Sequence, residues 1–122
     1  MIKYLILVFI GGGLGSSLRY YFSATINSNT IQWLPTIAVN LLGCLALGFV
    51  FGAFEKQDFP QSWYLLLGTG FCGGLTTFST FSLEVFNLMK QQDYMGMLSY
   101  LLISILGGLL FVFLGLWFSK VF

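Results

Sequence analysis

Charge in this chain is confined to a few positions, and the gaps between them are long. No Asp, Glu, Lys or Arg stands between Arg19 and Glu55, between Asp58 and Glu84, or between Asp93 and Lys120. A helix that crosses a bilayer needs about 20 predominantly apolar residues. Four segments meet that length: Tyr4 to about Ile26, with Arg19 inside it; Ile31 to Phe54; Phe59 to about Phe86; and Tyr94 to Ser119. Short polar knots separate them, "NSNT" from Asn27, "EKQD" from Glu55 and "KQQD" from Lys90. Links this short make neighbouring helices antiparallel and leave no room for a soluble domain. The expected fold is therefore an all-α membrane protein of four transmembrane helices, one domain over residues 1–122, multi-pass in the cell (inner or plasma) membrane.

Composition agrees. Only 7% of residues are charged, against about a quarter in soluble domains, and the mean hydropathy is +0.90. Five basic residues nearly balance four acidic ones without clustering, which argues against nucleic acid as a partner. There is no histidine. Cys44 and Cys72 lie inside apolar segments without zinc or redox spacing, and read as small buried thiols. Lys3 precedes an apolar run as in a signal peptide. No small-x-small cleavage site follows that run, so it is expected to be a retained first span.

Orientation normally follows the excess of Lys and Arg on the cytoplasmic side. Four spans put Lys3, Lys56 and Lys120 on one side and Arg19 and Lys90 on the other. Three against two permits insertion both ways, and with it an antiparallel homodimer; one extra lysine setting a single orientation stays open. Close packing has its own signature. Gly11 and Gly15, Gly48 and Gly52, and Ser104 and Gly108 follow small-xxx-small spacing, which lets helix backbones approach.

Polar groups at membrane depth are costly and mark candidate sites. Arg19 ends an uncharged stretch about four turns into the first span. It either snorkels to the headgroups, or offers a fixed positive charge to anions at a pore mouth, or holds carbonyls at a helix end. Asn40 lies well inside the second span, with Thr36 one turn before it on the same face. An amide in hydrocarbon needs partners; it either bonds another helix or donates its NH2 to a passing anion.

The third span holds "GFCGGLTTFSTF", Gly70 to Phe81. Gly73 and Gly74 invite a break, after which Thr76 or Thr77 can cap a fresh helix. A break at membrane depth frees backbone groups, which is tolerated only inside protein or along a cavity. Carbonyls ending the first half suit a cation and amides starting the second suit an anion. Glycines serving close packing alone is the other reading. Beyond the break, Thr77, Thr80 and Glu84 form one polar stripe, with Phe78 and Phe81 on the adjoining face. The positive edges of those rings can line an anion path. Tyr100 and Ser104 add hydroxyls from the last span. Donors predominate, with no acidic ring in the centre and no proton-relay histidine, so the passenger is expected to be a passively moving anion.

These residues resemble the CrcB/Fluc family of fluoride channels over essentially the whole chain. "GGGLGSSLRY", "PTIAVNLLGCLALG", "GFCGGLTTFSTF" and the Tyr100–Ser104 pair carry the likeness. The resemblance implies a fluoride-selective channel that lowers cytoplasmic fluoride, built as an antiparallel, dual-topology dimer with two pores and a central sodium ion. It implies Asn40 as the pore asparagine and Phe78 and Phe81 as pore-lining rings. Thr77, Ser79, Thr80 and Glu84 fall on the polar track, with Tyr100 and Ser104 beside it, and Arg19 lies near the vestibule. The sodium ion would rest on the backbone carbonyls of Gly73 and Thr76. Pro35, Cys44 and Gly108 depart from the family pattern, where glycine, serine and a further hydroxyl are common. A homodimer is expected, with a pair of unequal, paralogous subunits as the variant.

The alternative class is a small multidrug-resistance-type, proton-coupled transporter, which needs a carboxylate deep in the membrane. The first span has none, and Glu84 lies near the end of the third. A structural subunit would use Asn40 and the hydroxyls only as helix glue. No nucleophile stands with a base and an orienting group, so an enzyme is not expected.

Overall fold

A computed structural model describes residues 1–56 and 59–122; Gln57 and Asp58 of the second polar knot lie outside the described residues. Helix α1 spans Ile2–Thr25, α2 Leu34–Glu55, α3 Gln61–Tyr64, α4 Gly73–Leu75, α5 Phe78–Lys90 and α6 Tyr94–Val121. A π-helical segment, Leu65–Cys72, joins α3 to α4. The described residues contain no strand. Among them α1, α2 and α6 are long and apolar enough to cross a membrane. The stretch from Gln61 to Lys90 is divided into shorter pieces, none of which reaches that length by itself.

The chain packs with its small residues inward. Gly11 and Gly15 of α1 are buried, while Leu5, Phe9 and Leu14 of the same helix are exposed. In α6 only 6% of the most apolar stretch is buried. A surface this apolar is stable only where lipid, or another apolar chain, replaces water. This is a membrane protein.

Glycines set two helix contacts at backbone range. A Cβ on Gly11 would overlap the Leu66 carbonyl, and one on Gly15 the Phe71 carbonyl. So α1 lies directly on the π-helical segment. The second contact joins α2 to α6, where a Cβ on Gly48 would overlap the Val112 carbonyl and one on Gly115 the Leu45 carbonyl. The expected GxxxG pairs on the first two spans thus do pack closely. On α6 the backbone-range approach falls at Gly115, whereas a Cβ on Gly108 would only reach the Cys44 sulfur in ordinary contact.

Element ends follow local chemistry. Pro35 stands in the first turn of α2, where its missing N–H costs nothing. Asp93 Oδ1 accepts from the Gly96 N–H at 2.9 Å and caps α6. Before it, Gln92 takes a positive φ of 59°, closing α5 while the Asp93 N–H donates to the Leu88 carbonyl at 2.9 Å. At the other end of the molecule, Lys56 Nζ donates to the Ser119 carbonyl, tying the end of α2 to α6.

Candidate ion pathway

The π-helical segment and α4 bring the chain to Thr76 and Thr77, where the backbone leaves helical geometry. Thr76 has φ −85° and ψ 158°, and Thr77 has φ −150° and ψ 122°. Gly73, by contrast, is helical at φ −63° and ψ −37°. The departure therefore comes after the glycines that were expected to mark it. Gly74 instead serves close packing: a Cβ there would overlap the Gly12 carbonyl. Of the two candidate caps, Thr77 is the one used, its Oγ1 accepting from the Thr80 N–H at 3.2 Å. Thr76 Oγ1 donates back to the Cys72 carbonyl at 2.9 Å.

Two extended residues leave backbone groups that a helix would have paired. Asn40 supplies partners for both groups of Thr77. Its Oδ1 accepts from the Thr77 N–H at 2.8 Å, and its Nδ2 donates to the Thr77 carbonyl at 3.2 Å. The N–H can only donate, which fixes the orientation of the amide. Asn40 thus bonds the extended backbone between α4 and α5, and one of its two amide protons has no acceptor among the described residues. Among the described residues, no donor reaches the carbonyls of Gly73 or Thr76. The neighbouring Gly74 carbonyl accepts from Arg19 Nε at 3.0 Å and from Ser16 Oγ at 3.4 Å. Of the readings open for Arg19, this is the holding of a helix-end carbonyl.

Several of these polar side chains line two cavities. One, of about 140 Å³, is lined by Arg19, Thr36, Thr77 and Thr80. The other, of about 330 Å³, is lined by Asn40, Thr77, Phe78, Phe81 and Ser104. Thr77 lines both, so the extended residues lie between them. Phe78 and Phe81 have ring centroids 5.9 Å apart, and Phe78 is 79% exposed in the single chain. Ser104 Oγ is buried and has no hydrogen-bond partner among the described residues. Ser79 Oγ lies 3.3 Å from Thr77 Oγ1 at the start of α5.

Glu84 ends the stripe between two donors. Thr36 Oγ1 donates to Oε1 at 2.5 Å, and the Tyr100 hydroxyl donates to Oε2 at 2.9 Å. Three helices therefore meet at one carboxylate. Tyr100 is fully buried, so its hydroxyl is committed to Glu84 rather than free like that of Ser104. Sequence reasoning named every one of these groups but missed Trp33, which stacks on Tyr100 with centroids 4.6 Å apart and planes 11° from parallel. Its signal was an aromatic residue placed just before α2. It also missed Ser16, whose role depends on α1 lying against α4.

Long apolar helices around cavities that polar side chains help to line define an all-helical membrane protein. Residues 6–116 match the family described as CrcB-like protein, Camphor Resistance (CrcB), and the chain belongs to that family. It is 40% identical to the fluoride-specific ion channel FluC of Leptospira interrogans, over 98% of this chain and 97% of that one. It is 45% identical to the FluC of Serratia proteamaculans, over 93% and 91% of the two chains. Identity to the FluC of the archaeon Pyrococcus horikoshii is 40%, over 93% of each.

Proposed function

We propose that two copies of this chain assemble antiparallel in the cell (inner or plasma) membrane as a fluoride-selective channel. The channel has two pores and lowers cytoplasmic fluoride by passive efflux. Gln61 to Lys90 forms the third of four spans, interrupted at membrane depth by Thr76 and Thr77. The observation that carries this reading is the amide of Asn40 bonded to both backbone groups of Thr77. Irregular backbone is stable in the membrane only when its groups are paired or line a polar cavity, and here the pairing side chain faces one. The names of the relatives point the same way.

A small anion sheds water only where donors replace it. The remaining Asn40 N–H, the Ser104 hydroxyl and the ring edges of Phe78 and Phe81 supply that shell. Ring edges bind weakly, so the ion is held without being trapped. Thr77, Ser79 and Thr80 carry hydroxyls on toward Thr36, Glu84 and Tyr100. Arg19 places positive charge at the cavity that Thr36 and Thr80 line. The carbonyls of Gly73 and Thr76, without a donor among the described residues, would suit a hard cation such as sodium. Bound there, sodium would neutralise carbonyl dipoles at the interface between the copies. The same interface can form between this chain and a paralogous subunit.

Direction follows from the membrane potential. A negative interior drives an anion outward through a passive pore, by about 2.3 kcal/mol per 100 mV. The test is fluoride efflux from liposomes that contain only this purified chain, with potassium and valinomycin balancing charge. Efflux should continue unchanged when the proton gradient is collapsed. Efflux that needs the gradient would favour a proton-coupled transporter, and none at all would leave a structural subunit.

A further inference from the structure

Glu84 is held by Tyr100, and Tyr100 is held by a ring the pathway does not otherwise use. Trp33 sits just before α2, half-buried, with its carbonyl accepting the Ile37 N–H at 3.1 Å. Its indole lies flat on the Tyr100 phenol, and Phe81 meets the same phenol edge-on at 5.0 Å and 73°. Two rings thus pack on the phenol, whose hydroxyl lies 2.9 Å from Glu84 Oε2. Trp33 also borders the loop-side end of this cluster. It lines a cavity of about 360 Å³ with Asn29, Gln91 and Asp93, and a space of about 20 Å³ with Glu84 and Asn87. Leu88, buried, backs it in both. Trp33, with Gln32 and Leu88, therefore borders both the loop-side cavity and the small space beside Glu84.

We propose that Trp33 is a positioning residue of the ion pathway: stacked on Tyr100, it fixes the phenol hydroxyl on Glu84 and keeps loop-side water from competing for that bond. Water in the gap would weaken the hydrogen bond by raising the local dielectric. The inference rests on the fluoride-pathway reading above, with Glu84 and Tyr100 as part of the track.

The distinguishing requirement is a flat ring, not bulk. Trp33→Phe keeps a plane to stack on Tyr100, whereas Trp33→Leu fills space without one. Fluoride efflux from liposomes is measured for both, for Tyr100→Phe, and for each combined with Tyr100→Phe. Losing a side-chain hydrogen bond is worth up to roughly tenfold in rate, so Tyr100→Phe and Trp33→Leu should each slow efflux about tenfold. Trp33→Phe should stay within about twofold of wild type. Trp33→Leu should cost nothing further once the hydroxyl is gone, since coupled residues are not additive. Equal loss in the phenylalanine and leucine variants, or a full second tenfold loss in the double variant, would overturn the proposal and leave Trp33 as packing. Trp33→Met replaces the leucine variant if that one does not assemble. Wild-type protein without fluoride efflux would sink the channel reading itself; normal efflux with an inert Tyr100→Phe would sink only this inference.

Discussion

Ser104 carries a buried hydroxyl with no partner among the described residues. In a purely structural role such a group costs about 1–3 kcal/mol. Ser104→Ala should therefore leave the melting temperature unchanged or raise it, while fluoride efflux falls severalfold. A drop in stability with normal efflux would place the hydroxyl in the scaffold. Phe81 answers a different question, because it touches both Phe78 and Tyr100. Phe81→Ile keeps apolar bulk and removes the ring edge. Efflux should fall sharply with a stability loss of about 1 kcal/mol from the aromatic contact. Normal efflux would reduce the rings to packing. At this scale much was legible from sequence, since hydroxyls, an amide and rings inside an uncharged run are conspicuous. What was not legible was which of them are already engaged. Tyr100 and Ser104 read alike as hydroxyls one turn apart, yet one is bonded to Glu84 and the other is free.

The elements owe their contacts to glycine more than to apolar bulk. Gly11→Ala would drive a methyl into the Leu66 carbonyl, which belongs to backbone and cannot swing away. The expected cost is about 1–3 kcal/mol, read as a lower melting temperature in detergent; an unchanged one would mean that the two segments are not in backbone contact. The helix end at Gln92 predicts the opposite sign. A positive φ costs a side-chain-bearing residue about 1–2 kcal/mol relative to glycine, so Gln92→Gly should raise the melting temperature. Long apolar runs made α1, α2 and α6 readable to within a few residues. The region from Gln61 to Lys90 was harder. Its glycines are helical, and the extended residues are threonines whose conformation depends on Asn40, a partner 37 positions away. Local propensity carries no trace of such a partner.

At the scale of the whole molecule, the single chain displays large apolar side chains outward and leaves Phe78 uncovered. The proposed antiparallel dimer is compatible with basic residues that divide three against two across four spans. A cysteine at position 3 (Lys3→Cys, in a background lacking Cys44 and Cys72) should be labelled by impermeant reagents from both sides of the membrane in similar amounts. Labelling from one side alone would contradict dual topology. If sodium holds the proposed dimer through the carbonyls of Gly73 and Thr76, replacing it by a large organic cation should loosen that dimer in detergent. A dimer equally stable in either salt would remove sodium from the account.

One substitution reaches the root of all this. The extended residues and the proposed pathway meet at Asn40, whose amide pairs both backbone groups of Thr77 and lines the cavity beside Phe78 and Phe81. Asn40→Asp keeps the shape and the acceptor for the Thr77 N–H but replaces donation with negative charge. We predict that the purified variant still assembles and that its fluoride efflux, measured beside wild type in the same liposomes, is nearly abolished. Efflux at the wild-type rate would mean that no anion passes this amide.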